Sequence, residues 1–236
     1  MLPFNSRLND IVKKKRSWLC VGLDMNPDAL GDNNLSSLKD HSFKVIDATR
    51  DLAVAYKPNF AFFERWGAVG FAWLEEVVSY IGKEHITIAD AKRGDIGNTA
   101  EQYAKSIFDH FGFDSVTLNP YMGSDSISPF LGRKEKGAFI LCRTSNRSAK
   151  ELQDKMVDDE PYYLHVARFI SGLNKNDNAG MVVGATAPEE LQKIRDIAPD
   201  SPLLIPGVGA QGGDLSHSLR VGNQSGIGLI LSLIHI

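Results

Sequence analysis

The chain has 236 residues, of which 43% are hydrophobic and 23% charged, and its net charge is −3. This composition supplies a sizeable core and excludes intrinsic disorder, and the near-neutral balance excludes the global basic field of a nucleic-acid-binding protein. The length suits one large α/β domain or two small ones. With no low-complexity segment or Pro/Ser-rich linker to divide it, the sequence reads as a single domain over 1–236.

The start, Met1-Leu2-Pro3-Phe4-Asn5-Ser6, lacks the basic region and apolar core of a signal peptide. The run Lys13-Lys14-Lys15-Arg16 reads as a solvated helix end, in preference to a nucleic-acid or membrane patch. No apolar stretch approaches the ~20 residues of a membrane span. Cys20 and Cys142 both lie in apolar runs and read as small core residues of a reducing compartment, so a cytoplasmic location is expected.

Short apolar runs at 18–23, 53–57, 86–91, 115–118, 138–142, 181–183, 203–205 and 227–231 predict strands. Between them, patterns at 38–51, 66–82, 99–111, 124–131, 162–173, 188–197 and 215–221 predict helices. Asn98 with Glu101 three residues on forms a capping-box pattern for the third helix. Pro188, Glu189 and Glu190 suit a first helical turn. Strands alternating with helices imply βαβ crossovers and a parallel sheet. Asp24, Lys57, Asp90, Lys92, Asn119 and Ser145 fall at or just after the C-terminal ends of five different strands. Those ends converge in a (β/α)8 TIM barrel and would spread along an edge in an open sheet, so the barrel is the expected fold.

Residues 90–95, Asp90-Ala91-Lys92-Arg93-Gly94-Asp95, follow the apolar run 85–89. Unpaired charge is costly at the end of a buried strand, whereas a catalytic site has a use for it. Period-two geometry puts Asp90 and Lys92 on one face if the strand runs that far. A lysine between two carboxylates is held charged, which suits proton donation and not Schiff-base chemistry. A surface salt-bridge loop is the competing reading of the same spacing. Lys57, followed by Pro58, closes the second strand. Residues 206–214, including Pro206, Gly207 and Gln211, form a Gly-rich run after the seventh strand. Backbone N–H groups there can face a phosphate, although a mere turn fits equally well. Thr144-Ser145-Asn146 could read a heterocycle edge or form a plain polar loop. The six histidines show no metal-ligand spacing.

Together these segments resemble the orotidine 5′-phosphate decarboxylase family over nearly the whole chain. The most specific match is 90–99. Lys57-Pro58-Asn59, Asn119-Pro120-Tyr121, Arg143-Thr144-Ser145-Asn146 and 206–211 follow in the expected order, and their wording is similar to the bacterial-type subgroup with the Thr-Ser-Asn signature. The resemblance implies a cofactor-free and metal-free homodimer that converts orotidine 5′-phosphate to UMP in pyrimidine synthesis. It implies a charged tetrad of Lys57, Asp90, Lys92 and Asp95, with Asp95 and Thr99 reaching into the partner's site. It assigns ribose contacts to Asp24 and Lys57, the pyrimidine edge to Ser145 and a phosphate contact to Gln211, with Asn119, Pro206 and Gly207 in substrate-binding motifs. The family continues after strand eight with a phosphate arginine and a closing helix. This sequence reads 228–236 as an apolar segment instead, so a barrel with its last helix missing and weakened phosphate binding is expected. Two rivals remain at this point. One is a Mg²⁺-dependent sugar-phosphate decarboxylase or aldolase of the same superfamily, which would need a carboxylate where Lys57 stands. The other is a catalytically silent nucleotide-binding dimer.

Overall fold

Eight parallel strands close on themselves in the computed structural model, which describes residues 2–209 and 211–233. They are β1 (Leu19–Leu23), β2 (Ala53–Pro58), β3 (Ile86–Arg93), β4 (Ser115–Leu118), β5 (Gly137–Arg143), β6 (Ala179–Val183), β7 (Leu203–Ile205) and β8 (Gly228–Ser232). Each strand pairs with its sequence neighbours, and β1 pairs with β8 to complete a closed barrel. Seven crossover helices form the outer wall: α2 (Leu35–Thr49), α3 (Ala68–Ile81), α4 (Gly97–Lys105), α5 (Ser124–Leu131), α6 (Tyr162–Leu173), α7 (Pro188–Ile197) and α8 (Leu215–Gly222). The expected TIM barrel is therefore present. The closing helix that was expected to be missing concerns 234–236, which lie outside the described residues.

Alternation along the strands sorts the core into two layers. Cys20, Val54, Ile86, Ile88, Phe139, Val182, Leu204 and Leu229 pack together inside the barrel. Val21, Ala53, Tyr56, Ala89, Val116, Ile140, Met181, Leu203 and Ile230, one residue out of step, pack outward against the helices. This is the period-two geometry of a strand buried on both sides. It explains why the strands read as continuous apolar runs.

Sequence reading missed α1 (Phe4–Lys15), which precedes β1. Its Phe4, Leu8 and Val12 join the inner layer and close the N-terminal end of the barrel. Phe4 meets Phe139 edge-on with ring centroids 6.1 Å apart, over Gly137, where any Cβ would collide with its ring. Lys13, Lys14 and Lys15 form the last turn of α1, as expected of a solvated helix end.

The third predicted helix needs correction. α4 starts at Gly97, Ile96 takes the N-cap position, and no side chain caps it. Asn98 Oδ1 accepts instead from Gln102 at 3.2 Å, and Glu101 pairs with Lys105 at 3.0 Å. The residues of the supposed capping box thus serve i,i+4 contacts on an exposed face. α4 continues into a π-helical turn over Ser106–His110, so the predicted 99–111 segment is two kinds of helix. β3 is longer than predicted and runs through Lys92 to Arg93.

Candidate active site

Near the C-terminal mouth, the inward positions of the strands change from apolar to polar. On β3 the inward series Ile86, Ile88 continues to Asp90. On β4, where Val116 and Leu118 face outward, Thr117 takes the inward place. Lys57 closes β2. Lys57, Asp90 and Thr117 are only 3%, 8% and 2% exposed, so their polar groups must satisfy one another.

They do so around the carboxylate of Asp90. Its Oδ2 pairs with Lys57 Nζ. Its Oδ1 accepts from Lys92 Nζ at 2.6 Å and from Thr117 Oγ1 at 3.1 Å. Burial raises the Asp90 carboxyl, but the two ammonium groups outweigh it and hold the group down to about 2. Burial works against charge on Lys57 as well; Asp90 and Asp24 overcome it, and the amine is pushed above its ordinary value. At neutral pH the centre is therefore two cations sharing one anion. Lys92, on the solvent side, remains half-exposed.

The backbone that delivers Lys92 is irregular. Pairing between β3 and β4 slips between Ala89 and Arg93, and Lys92 adopts a φ of +44°. Such a conformation costs a non-glycine residue about 1–3 kcal/mol. The slip turns Arg93 outward, where it pairs with Glu64 at 2.7 Å and lies 5.2 Å from the rings of both Phe60 and Tyr103.

Asp24 follows β1, and its Oδ2 accepts from Asn59 Nδ2 at 3.2 Å. Its Oδ1 is buried with no hydrogen-bond partner. Across the mouth, the loops after β5, β6 and β7 are tied together. Ser145 Oγ donates to Gln211 Oε1 at 3.1 Å, and Thr186 Oγ1 approaches Ser145 O at 3.4 Å. Gly184 permits this approach, because a Cβ there would lie 2.9 Å from Ser145. Pro206, Gly207, Val208, Gly209 and Gln211 line a cavity of about 190 Å³. Gly207, at φ +94°, adopts backbone that strains any other residue, and a Cβ there would sit tightly at 3.1 Å from Gln211 and 3.3 Å from Ser145. Within this Gly-rich loop the N–H groups of Gly209, Gly212 and Gly213 bond back to the loop itself, so part of the expected phosphate cradle is occupied by turn hydrogen bonds. A larger hollow of about 850 Å³ opens near the opposite end of the barrel, lined in part by the Arg7–Asp114 ion pair and by His110 and Glu75, whose Nε2 and Oε1 lie 2.9 Å apart.

A closed parallel barrel with an inward Lys–Asp–Lys centre at its C-terminal mouth has close relatives. The family model described as orotidine 5′-phosphate decarboxylase / HUMPS matches residues 17–228. The chain belongs to that family. It is 46% identical over 236 residues to an orotidine 5′-phosphate decarboxylase of Natronomonas pharaonis, covering 98% of this chain and 87% of the relative. It is 42% identical over 229 residues to one of Herpetosiphon aurantiacus, covering 95% and 86%. Among solved structures it is similar to Leishmania donovani OMP decarboxylase, with a TM-score of 0.87, 38% identity, and 98% and 89% of the two chains covered.

Of the family tetrad expected from sequence, the fold brings three members together. Asp95 stands apart: its Oδ1 accepts from the neighbouring Ile96 N at 2.8 Å, and among the described residues it forms no ion pair. Within one chain the centre is a carboxylate flanked by two lysines. Thr99 is exposed on the first turn of α4. Asn119 is exposed after β4, with its N–H bonded to Arg93 O at 2.9 Å and its side chain to Tyr121 N at 3.0 Å. Asn59 and Thr117 join the site through Asp24 and Asp90, contacts that sequence spacing does not reveal. Asn59 belongs to the Lys57-Pro58-Asn59 motif, but Thr117 carries no signal beyond the ordinary liking of threonine for strands. Among the described residues, no group of three or more His, Cys, Asp or Glu is arranged to hold a metal ion, and no helix is long and apolar enough to cross a membrane.

Proposed function

We propose that this chain decarboxylates orotidine 5′-phosphate to UMP in pyrimidine biosynthesis, with Lys57, Asp90 and Lys92 as its working charges. The observation that carries this reading is the buried Lys57–Asp90–Lys92 array at the barrel mouth. In the reaction the bond from C6 to the carboxylate carbon breaks, CO2 leaves, and the electron pair stays on C6. That pair lies in the ring plane and cannot spread into the π system. A fixed cation must stabilise it, and a proton must then close the C6–H bond. Lys92 suits both tasks, since it is charged, accessible and held at 2.6 Å by Asp90.

Asp90 would face the substrate carboxylate, and their repulsion would vanish as CO2 departs. Two such charges ~4 Å apart repel by about 4 kcal/mol at an effective dielectric of ~20. That is roughly three decades of rate, against barrier reductions of up to ~23 kcal/mol in proficient enzymes. Preorganised charge and binding energy from the remote phosphate must supply the rest. In this reading Asp24 and Lys57 hold the ribose, Ser145 meets the pyrimidine edge, and Gln211 with Pro206, Gly207 and the surrounding loop meets the phosphate. The Ser145–Gln211 hydrogen bond supports the placement of the last two at one ligand.

The enzyme would act as a homodimer, Asp95 and Thr99 serving the partner's site. Exposed Ile96, Tyr121 and Met122, on loops that meet where Gly94 approaches Asn119, offer apolar surface for that contact. The two free, buried cysteines are in keeping with the cytoplasm. Lys57 at the end of β2, paired to Asp90, speaks against the Mg²⁺-dependent rival, whose chemistry needs a carboxylate there. Protein treated with EDTA should release CO2 from orotidine 5′-phosphate and none from 3-keto-6-phosphogluconate. The reverse pattern, restored by Mg²⁺, would overturn the assignment.

A further inference from the structure

Lys92 sits in a slip of the β3–β4 pairing with a left-handed backbone, a conformation that persists only where surrounding contacts over-determine it. The contact that holds it is a side chain. Lys92 N–H, displaced from the regular ladder, donates to Thr117 Oγ1 at 3.0 Å. The same hydroxyl lies 3.1 Å from Asp90 Oδ1 and 3.5 Å from Ala89 O. A hydroxyl has one proton to give. With Lys92 N–H directed at its lone pair, that proton goes to the nearer, anionic acceptor, Asp90 Oδ1. Asp90 Oδ1 in turn receives Lys92 Nζ at 2.6 Å. The result is a ring of hydrogen bonds that starts at the Lys92 backbone, passes through Thr117 and Asp90, and returns to the Lys92 ammonium.

We propose that Thr117 is a positioning residue for the decarboxylation: its hydroxyl fixes both the backbone slip that carries Lys92 and the carboxylate oxygen that holds the ammonium. This rests on the reading of Lys92 as the proton donor. Thr117 is 2% exposed, so bulk water does not compete for either hydrogen bond. Valine at this position keeps the branched shape and removes both bonds; serine keeps both bonds and removes a methyl group. Only a role in positioning Lys92 separates the two variants by their chemistry, because both preserve the strand.

The test compares Thr117→Val, Thr117→Ala and Thr117→Ser with the parent protein in kcat, KM, affinity for UMP and exchange of the Lys92 amide hydrogen. Valine and alanine should lower kcat by about 10- to 100-fold, the scale of a hydrogen bond to a charged group. KM and UMP affinity should barely move, and the Lys92 amide should exchange faster. Serine should restore kcat and amide protection. A valine or alanine variant with parental kcat overturns the proposal, as does a serine variant that falls as far as valine. If valine does not fold, alanine and serine decide. If the parent protein itself fails to consume orotidine 5′-phosphate, the functional reading falls, and unchanged Lys92 amide exchange in the alanine variant would overturn the positioning role separately.

Discussion

A lysine buried at 3% exposure survives as a cation only with an anion in contact, and Asp90 is that anion for Lys57. The converse also holds, since Asp90 depends on two lysines. Replacing Asp90 with Asn would leave Lys57 charged and buried without its counter-ion, a change that costs about 3–5 kcal/mol. Chemical denaturation of Asp90→Asn at pH 7 should show a loss of this size, and a loss under 1 kcal/mol would contradict the burial argument. The pH dependence has a definite sign. Asp90 is held down to about 2 from an ordinary 3.8, so its contribution is complete above about pH 4 and disappears as pH falls towards 2. It amounts to about 2 kcal/mol at ~1.4 kcal/mol per unit. Measured against pH, the gap between the parent and Asp90→Asn should narrow over that window; a constant gap would contradict the assignment. The charged members of this centre are legible in sequence because charge at the end of an apolar strand is conspicuous. Thr117 is not, because a threonine in a strand needs no special explanation. Asp95 is legible as a charge, but its contacts within the fold are not, since spacing cannot show that its Oδ1 accepts from Ile96 N.

At the scale of elements, β3 combines what periodicity can reveal and what it cannot. Its apolar alternation fixes the face of Asp90. The slip that follows depends on a hydrogen bond to another strand and leaves no local pattern. α1 was missed for a different reason. Phe4, Leu8, Ile11 and Val12 recur at helical spacing, but the stripe is short, and its partner surface exists only once the barrel has closed. Phe4→Ala should therefore cost about 3–5 kcal/mol, as for a large buried aromatic. A thermal or denaturant midpoint equal to that of the parent would show that α1 does not seal the barrel. The contact of Gly184 with Ser145 joins the β5 and β6 loops at the other end. A methyl group at Gly184 would stand 2.9 Å from Ser145 and push it away from Gln211. In the proposed site this weakens substrate binding, so Gly184→Ala should raise KM about tenfold, ~1.4 kcal/mol, and lower kcat less. An unchanged KM would remove Ser145 from the binding surface.

At the scale of the molecule, the closed barrel explains how residues as distant in sequence as Lys57 and Asp90 form one centre: adjacent parallel strands end at a common face. The fold was readable because polar residues ended five successive strands. A partner subunit could not be read in the same way. The proposed dimer makes a distinctive prediction, because Lys92 would act in its own site and Asp95 in the partner's. Mixing inactive Lys92→Ala and Asp95→Asn proteins should form hybrid dimers with one intact site, restoring roughly a quarter of parental activity at equal mixing. No recovery, despite subunit exchange, would place both residues in one site.

The role of Lys92 is tested by the ultraviolet absorbance of orotidine 5′-phosphate, followed with the parent protein and with Lys92→Ala under metal-free conditions. The parent should convert it to UMP, and the rate should be at least ~10³-fold lower without the Lys92 ammonium, the loss of about 4 kcal/mol of transition-state stabilisation. Conversion by Lys92→Ala at the parental rate would contradict that role.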